Sequence, residues 1–210
     1  MKYHIPVSNQ LNYISNKIQF IDSNTDYNKV IAKSYIKKDE LMIIEYPIIN
    51  LFGELNDNRE LQIIKKYIEN KDINFIKELY PRTKLYKKTV MIKLIHNLIK
   101  NAKSDKKLYN YFQSISKEDL EFYFAKYLYN AFEGNEFGPL TLPKIAKLNH
   151  SCVPNVRFSF NKNNGCMYVY SNKDITKGEE ILDSYLENKK IKNHKIYLQE
   201  HYGFSCECDF

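Results

Sequence analysis

Apolar and polar positions change rhythm twice along this chain. Over residues 1–50 short runs alternate, with β-branched residues gathered at Val30-Ile31 and Met42-Ile43-Ile44. That period of two predicts two or three strands ending at Pro47. Between Gly53 and Gly134 there is no glycine, and Pro81 is the only proline. Apolar residues there recur at helical spacing: Leu61, Ile64, Tyr67, Ile68; then Val90, Met91, Leu94, Ile95, Leu98; then Leu120, Phe124, Tyr127, Leu128. The pattern predicts a helical block of roughly three to five helices, the last opened by an N-cap signal at Ser116 with Asp119. Beyond about residue 140 the period of two returns. Val156–Phe160 and Cys166–Tyr170 flank Asn163-Asn164-Gly165, and Asn-Gly between alternating runs signals a hairpin. Lys189 to His201 reads as a short basic helix.

No internal repeat or low-complexity linker divides these segments. The expectation is an α+β chain forming one domain over 1–210: N-terminal strands (1–51), a helical insertion (52–128), a C-terminal β-rich core (129–188) and a closing segment (189–210). With 210 residues, 43% of them hydrophobic, it can bury one substantial core. The longest apolar run, Leu41 to Phe52, is broken by Glu45 and Pro47 and falls short of the ~20 residues that span a bilayer. Met1-Lys2-Tyr3-His4-Ile5-Pro6 lacks the apolar core of a signal peptide. An intracellular protein of the nucleus or cytoplasm, with no membrane partner, is expected.

The net charge of +7 fits an anionic partner such as nucleic acid. Lys, Asn, Ile and Tyr are all abundant, however, and compositional bias with a solvated helix face accounts for the lysines of the helical block (Lys65, Lys66, Lys87, Lys88, Lys100, Lys103, Lys106, Lys107). The four cysteines, without a secretory signal, argue against a disulfide framework. Three of them, Cys152, Cys206 and Cys208, lie inside the motifs described next, so metal binding becomes the better question.

Those motifs are Asn149-His150-Ser151-Cys152-Val153-Pro154-Asn155, then Gly178-Glu179-Glu180-Ile181-Leu182-Asp183-Ser184-Tyr185, and finally Tyr202-Gly203-Phe204-Ser205-Cys206-Glu207-Cys208. In this order and spacing they resemble the SET-domain protein lysine methyltransferases, most closely the SET- and MYND-domain branch. The resemblance is specific over 130–208, weaker over 27–47 and absent between about 52 and 125. It implies a SET fold of small curved β-sheets with a pseudoknot-like crossing, here carrying an inserted helical block. It also implies methyl transfer from S-adenosylmethionine to a lysine side chain. The MYND zinc finger of that branch is missing, since residues 48–130 contain no Cys and only one His, His96.

Methyl transfer to an amine is a direct displacement at carbon. The protein must hold donor and nitrogen in line and present the amine deprotonated. Lysine's reference pKa, near 10.4, falls on desolvation, so a narrow aromatic channel serves both needs. By the resemblance, Tyr185 and Tyr202 are the catalytic tyrosines, and they line the lysine channel with Phe132. The cofactor-binding set implied is Tyr27, Asn28, Lys29, Asn130, Asn149, His150, Tyr202 and Phe204. Asn130-Ala131-Phe132 corresponds to the Asn-x-Phe element of the branch. The family's post-SET zinc would take Cys152, Cys206 and Cys208, with the fourth ligand falling beyond Phe210; Cys166 is the other candidate.

One departure stands out. Where the family has Gly-x-Gly before its first strand, this chain has Tyr27-Asn28-Lys29, followed by Ile36-Lys37-Lys38-Asp39-Glu40 and Glu45-Tyr46-Pro47. Glycine permits close backbone approach to a ligand. Two readings follow: a lysine methyltransferase acting on a histone or other basic peptide, and a SET module weak or inactive in turnover that binds a basic peptide or partner. An acidic set near Tyr185 (Glu133, Glu136, Glu179, Glu180, Asp183, Glu187) suits a basic substrate in either case.

Overall fold

The computed structural model describes residues 12–22, 28–52, 58–84, 90–134, 138–186 and 193–208. In chain order come β1 (Tyr13–Ile14), β2 (Ile18–Ile21), β3 (Lys29–Ala32) and β4 (Leu41–Glu45), then α1 (Arg59–Glu69), α2 (Asn74–Glu78), α3 (Ile95–Asn101), α4 (Lys106–Gln113) and α5 (Lys117–Asn130). There follow β5 (Ala131–Glu133), β6 (Pro139–Thr141), β7 (Asn149–His150), β8 (Val156–Asn161), β9 (Cys166–Ser171), β10 (Leu182–Asp183) and α6 (His194–His201). The chain divides into two compact units, one of residues 1–48, 142–192 and 206–210, the other of residues 49–141 and 193–205. No described helix is long and apolar enough to cross a membrane.

The first unit is the β-rich one. Its main sheet has the order β1-β4-β9-β8, antiparallel throughout. The expected hairpin forms as β8–β9, with Asn161 opposite Cys166 and Gly165 at φ 69° supplying the left-handed turn residue. Among the described residues four short N-terminal strands stand where two or three are expected, the polar turn Ser15-Asn16-Lys17 separating β1 from β2. Val30, Ile36, Met42, Ile43, Val169 and Ile181 are among its core side chains.

Glu45 ends β4 inside this core. Its carboxylate accepts N–H bonds from Lys144 (2.9 and 3.1 Å) and Ile145 (2.9 Å), fixing the 3-10 turn Ile145–Lys147 that leads directly into β7. Burial pushes its pKa up from 4.5 to about 7, against the opposing pull of those N–H donors.

The second unit holds the helical block. α1 and α5 bury Leu61, Ile64, Leu120 and Phe124 in one cluster with Ile95, Ile99, Leu108 and Phe112. The third apolar stripe forms as its spacing predicts, with the Ser116 side chain accepting from the Asp119 N–H at the start of α5. The second stripe is met in part, with Ile95 in the cluster and Leu98 packed against it as the spacing predicts. Ile92, Ile95 and Ile99 are buried while Leu94 is 41% exposed. A 3-10 turn over Val90–Leu94 precedes α3, and its three residues per turn rotate the face before the α-helical period takes over. Within this unit β5 and β6 pair antiparallel, and Ile49 bridges Thr141.

Two outcomes follow. Ser116→Ala should lower stability by about 1 kcal/mol in urea denaturation. Glu45 holds its proton more tightly folded than unfolded, so its contribution is fully present below 4.5 and is lost as pH rises through about 7. Glu45→Gln cannot titrate and should flatten that part of the stability–pH curve; an unchanged slope in the variant contradicts it.

Candidate functional site

The site in the first unit is built on a very short parallel pair. Leu182 lies opposite Asn149 and Asp183 opposite His150. Two paired residues give little stability by themselves, and the surrounding hydrogen bonds supply the rest. Gly178, at φ 90°, turns the chain so that residues 178–181 run along the free edge of β3: Gly178 N–H to Ala32 O (2.8 Å), Ala32 N–H to Glu179 O (2.9 Å) and Ile181 N–H to Val30 O (2.7 Å). Asn155, only 4% exposed, serves as a side-chain clamp. Its Oδ1 accepts from Leu182 N–H (2.8 Å), its Nδ2 donates to Glu180 O (2.8 Å) and its backbone N–H donates to Leu182 O (3.1 Å). Ser151 N–H to Asp183 O (2.7 Å) continues the ladder.

On this frame three of the expected motifs meet. The two Nδ2 protons of Asn149 go to Asn28 O (2.6 Å) and Glu180 Oε1 (2.6 Å), so the hydrogen-bonding role open to its Oδ1 is acceptance. The Tyr185 backbone N–H donates to His150 Nδ1 (3.0 Å), and the two rings lie 5.3 Å apart. The Tyr185 hydroxyl donates to Leu148 O (2.8 Å). With its proton on Leu148 O, the hydroxyl oxygen can act further as an acceptor. Asn149, His150 and Tyr185 are each half-buried, so all three retain accessible surface. Lys29, beginning β3, is exposed. Burial pushes the neighbouring Asp183 carboxyl up to about 7.

A thiol group sits beside this pair. The Cys152 and Cys206 sulfurs are 3.5 Å apart, His150 Nε2 is 3.3 Å from Cys152 Sγ, and the Cys208 backbone N–H donates to Cys206 Sγ (3.2 Å). The ligand atoms of His150, Cys152 and Cys206 all lie within 4.8 Å of one another. Burial, then hydrogen bonding with Cys206, pushes the Cys152 thiol up to about 12, while Cys206 holds Cys208 below the usual thiol range. A tetrahedral zinc–thiolate centre with Zn–S near 2.3 Å has sulfurs roughly 3.8 Å apart, so the spacing and the donor set fit zinc. Cys166 stands apart in the hairpin core, its Sγ donating to Asn164 O (3.6 Å).

The remaining expected residues belong to the second unit or lie outside the described residues. Asn130 is buried at the end of α5, where its amide donates to Tyr80 O (2.6 Å) and Lys126 O (2.7 Å). Phe132, half-buried in β5, pairs with Leu140. Tyr202 and Phe204 follow α6 in a row of rings running Tyr80–Tyr129 (5.2 Å), Tyr129–Tyr202 (6.2 Å) and Tyr202–Phe204 (6.5 Å). Tyr27, Glu136 and Glu187 lie outside the described residues. The acidic set is thinner than its sequence suggests: Asp183 is buried, and Glu180 is engaged by Asn149. What periodicity did not reveal is the clamp itself, for Asn155 and Glu180 carry no signal of their long-range partners.

A SET domain family model matches residues 28–186. The SET domain-containing protein L678 of Acanthamoeba polyphaga mimivirus is 31% identical over 196 residues, covering 90% of this chain and 69% of that protein. This chain therefore belongs to the SET-domain family. The human protein-lysine N-trimethyltransferase SMYD5 is 48% identical over 65 residues, which are 29% of this chain but only 15% of that protein. Among solved structures, the SET domain of LSMT bound to lysine and AdoHcy superposes with a TM-score of 0.63 at 13% identity, covering 96% of this chain and 54% of that one. The chain thus spans about half of that neighbour and a small part of SMYD5, and the likeness to LSMT establishes the fold.

Asn155→Ala removes one acceptor and one donor from a buried ladder and should cost about 1–3 kcal/mol for each group left unpaired, read by urea denaturation of the full chain.

Proposed function

We propose that this chain transfers a methyl group from S-adenosylmethionine to the side-chain nitrogen of a lysine in a basic protein or peptide, histones among them. The observation that carries this is the Tyr185 hydroxyl, held by donation to Leu148 O on a family scaffold that matches over 28–186. An oxygen whose proton is so engaged attracts the electron-poor methyl and the amine N–H without donating a proton to either, and it stabilises the charge that moves from sulfur to nitrogen.

The residues present fit the cofactor. It offers an ammonium, a carboxylate, ribose hydroxyls and an adenine edge. Asn149 Oδ1 is an acceptor for the ammonium, Lys29 a cation for the carboxylate, and the backbone of Asn28 and His150 flanks the same ladder. When bound, the cofactor supplies the electrophilic methyl; the chain's own task is to orient and desolvate the lysine. Tyr185, Tyr202 and Phe132 are proposed as its aromatic channel, which disfavours the charged amine and tolerates the methylated cation. Asn130 and Phe204 complete the proposed cofactor set, and Cys152, Cys206 and Cys208 the proposed structural zinc ligands. We read the whole chain as one SET domain with a helical insertion at 52–128.

A second reading is favoured by Asn28-Lys29 standing where the family has glycine. A cofactor crowded out by these side chains leaves a module that binds a basic peptide without turnover.

Calorimetric titration separates the two. The first reading expects saturable binding of S-adenosylmethionine and of its demethylated product, while peptide binding without cofactor binding establishes the second. Tyr185→Phe should lower kcat on the order of 100-fold and leave the cofactor Kd unchanged. A variant with full kcat removes Tyr185 from the chemistry.

A further inference from the structure

Residues 82–117 hold ten lysines and arginines and a single acidic residue, Asp105. Their net of +9 exceeds the +7 of the whole chain, so all other residues together come to −2. Compositional bias would spread lysine along the chain beside its counter-charges and does not explain this concentration. In the second unit, α3 and α4 bury Ile95, Ile99, Leu108 and Phe112, and the 3-10 turn Ala102–Ser104 between them buries Ala102. That leaves Lys93, Lys100, Lys103, Lys106 and Lys107 exposed at one corner of the unit. Lys84, before them, is ion-paired with Asp119 (2.8 Å) and Glu118 (3.5 Å), and Lys117, after them, with Glu121 (4.0 Å). Among the described residues no ion pair engages the five between. Asp105, the one acid in their midst, is turned to capping α4, where its carboxylate accepts from Leu108 N–H (3.0 Å). Like charges gathered without partners repel one another, and a bound polyanion relieves that repulsion.

We infer that the exposed corner formed by α3, the 3-10 turn and α4 binds the phosphate backbone of a double-stranded nucleic acid, without reading its sequence. The basic substrate proposed above is repelled by this surface, so the partner is a different molecule and the inference does not rest on that reading. Between the lysines the segment exposes Asn97, Asn101 and Asn110, amides that bond phosphate oxygens as lysine does. The exposed cations are all lysine, which meets phosphate as a point charge and lacks the fork by which arginine reads guanine. Surfaces for single strands stack bases on exposed rings, whereas Phe112 is in the apolar cluster and Tyr109 and Tyr111 pack against it. A membrane-surface helix turns an apolar face outward, and between residues 91 and 117 Leu94 is the one large apolar side chain exposed.

The test is fluorescence anisotropy of the full chain with two labelled DNA duplexes of unrelated sequence, over a series of salt concentrations. Both should bind alike, and five phosphate contacts give log K against log salt a slope of about −4.5, a loss on the order of 500-fold between roughly 50 and 200 mM. Replacing Lys100, Lys103 and Lys107 together by Gln should weaken binding and flatten the slope by about three. The same change at Lys38, Lys173 and Lys177, exposed lysines of the first unit, should leave it unaltered. Urea midpoints show whether each variant keeps its fold; where the triple does not, Lys93→Gln with Lys106→Gln should flatten the slope by about two. An RNA duplex in place of DNA tells which double helix is preferred. No binding at low salt, or equal losses from the two triple variants, overturns the inference. So does tighter binding to phosphatidylserine vesicles than to duplex, which makes the partner a membrane surface. No readout needs methyl transfer, so an inactive chain that binds duplex as expected counts against the proposed function alone.

Discussion

The site depends on one constraint, the lashing of residues 149–155 beneath residues 180–185. A parallel pairing of two residues cannot hold itself. Here it is held because a buried asparagine satisfies both an N–H and a C=O of the opposing segment, while a second asparagine ties the same pair to the start of β3. Buried backbone groups must find partners, and in this region side-chain amides stand in for a continuous sheet. Remove the clamp and Asn149, His150, Cys152 and Tyr185 lose their common frame.

The chemistry inherits its geometry from that frame. Each polar atom around Tyr185 has a defined direction: the hydroxyl proton goes to Leu148, the backbone N–H to His150, and the far side of His150 faces the thiol group. Methyl transfer asks for alignment and desolvation more than for proton shuttling. A site of fixed acceptors and half-buried rings answers that demand better than one built around a strong acid or base. Glu45 contributes from a distance, its carboxyl setting the 3-10 turn from which β7 begins.

Much of the fold was legible in the sequence where the signal was local. The β8–β9 hairpin follows from Asn164-Gly165 between alternating runs, and the start of α5 from Ser116 with Asp119. The motif residues drew attention through their order and spacing, and that order carried the family. What stayed hidden was either long-range or a matter of phase. Nothing near Asn155 announces that its amide meets Leu182, and nothing near His150 says which ring nitrogen faces Tyr185. Within the stripe at 90–98, Leu94 turns outward because a 3-10 turn has a different period from the helix it precedes. The glycine-free start of β3 was visible at once, and its consequence for cofactor affinity lies in contacts that spacing does not encode.

Transfer of labelled methyl from S-adenosylmethionine, with the modified residue located by mass spectrometry, puts the central claim to the most direct trial. Incubating the zinc-loaded chain with core histones and a panel of basic peptides should place label on lysine side-chain nitrogen, and Tyr185→Phe should nearly abolish it. Folded, metal-loaded protein that binds these peptides and transfers no label to any lysine would contradict the account.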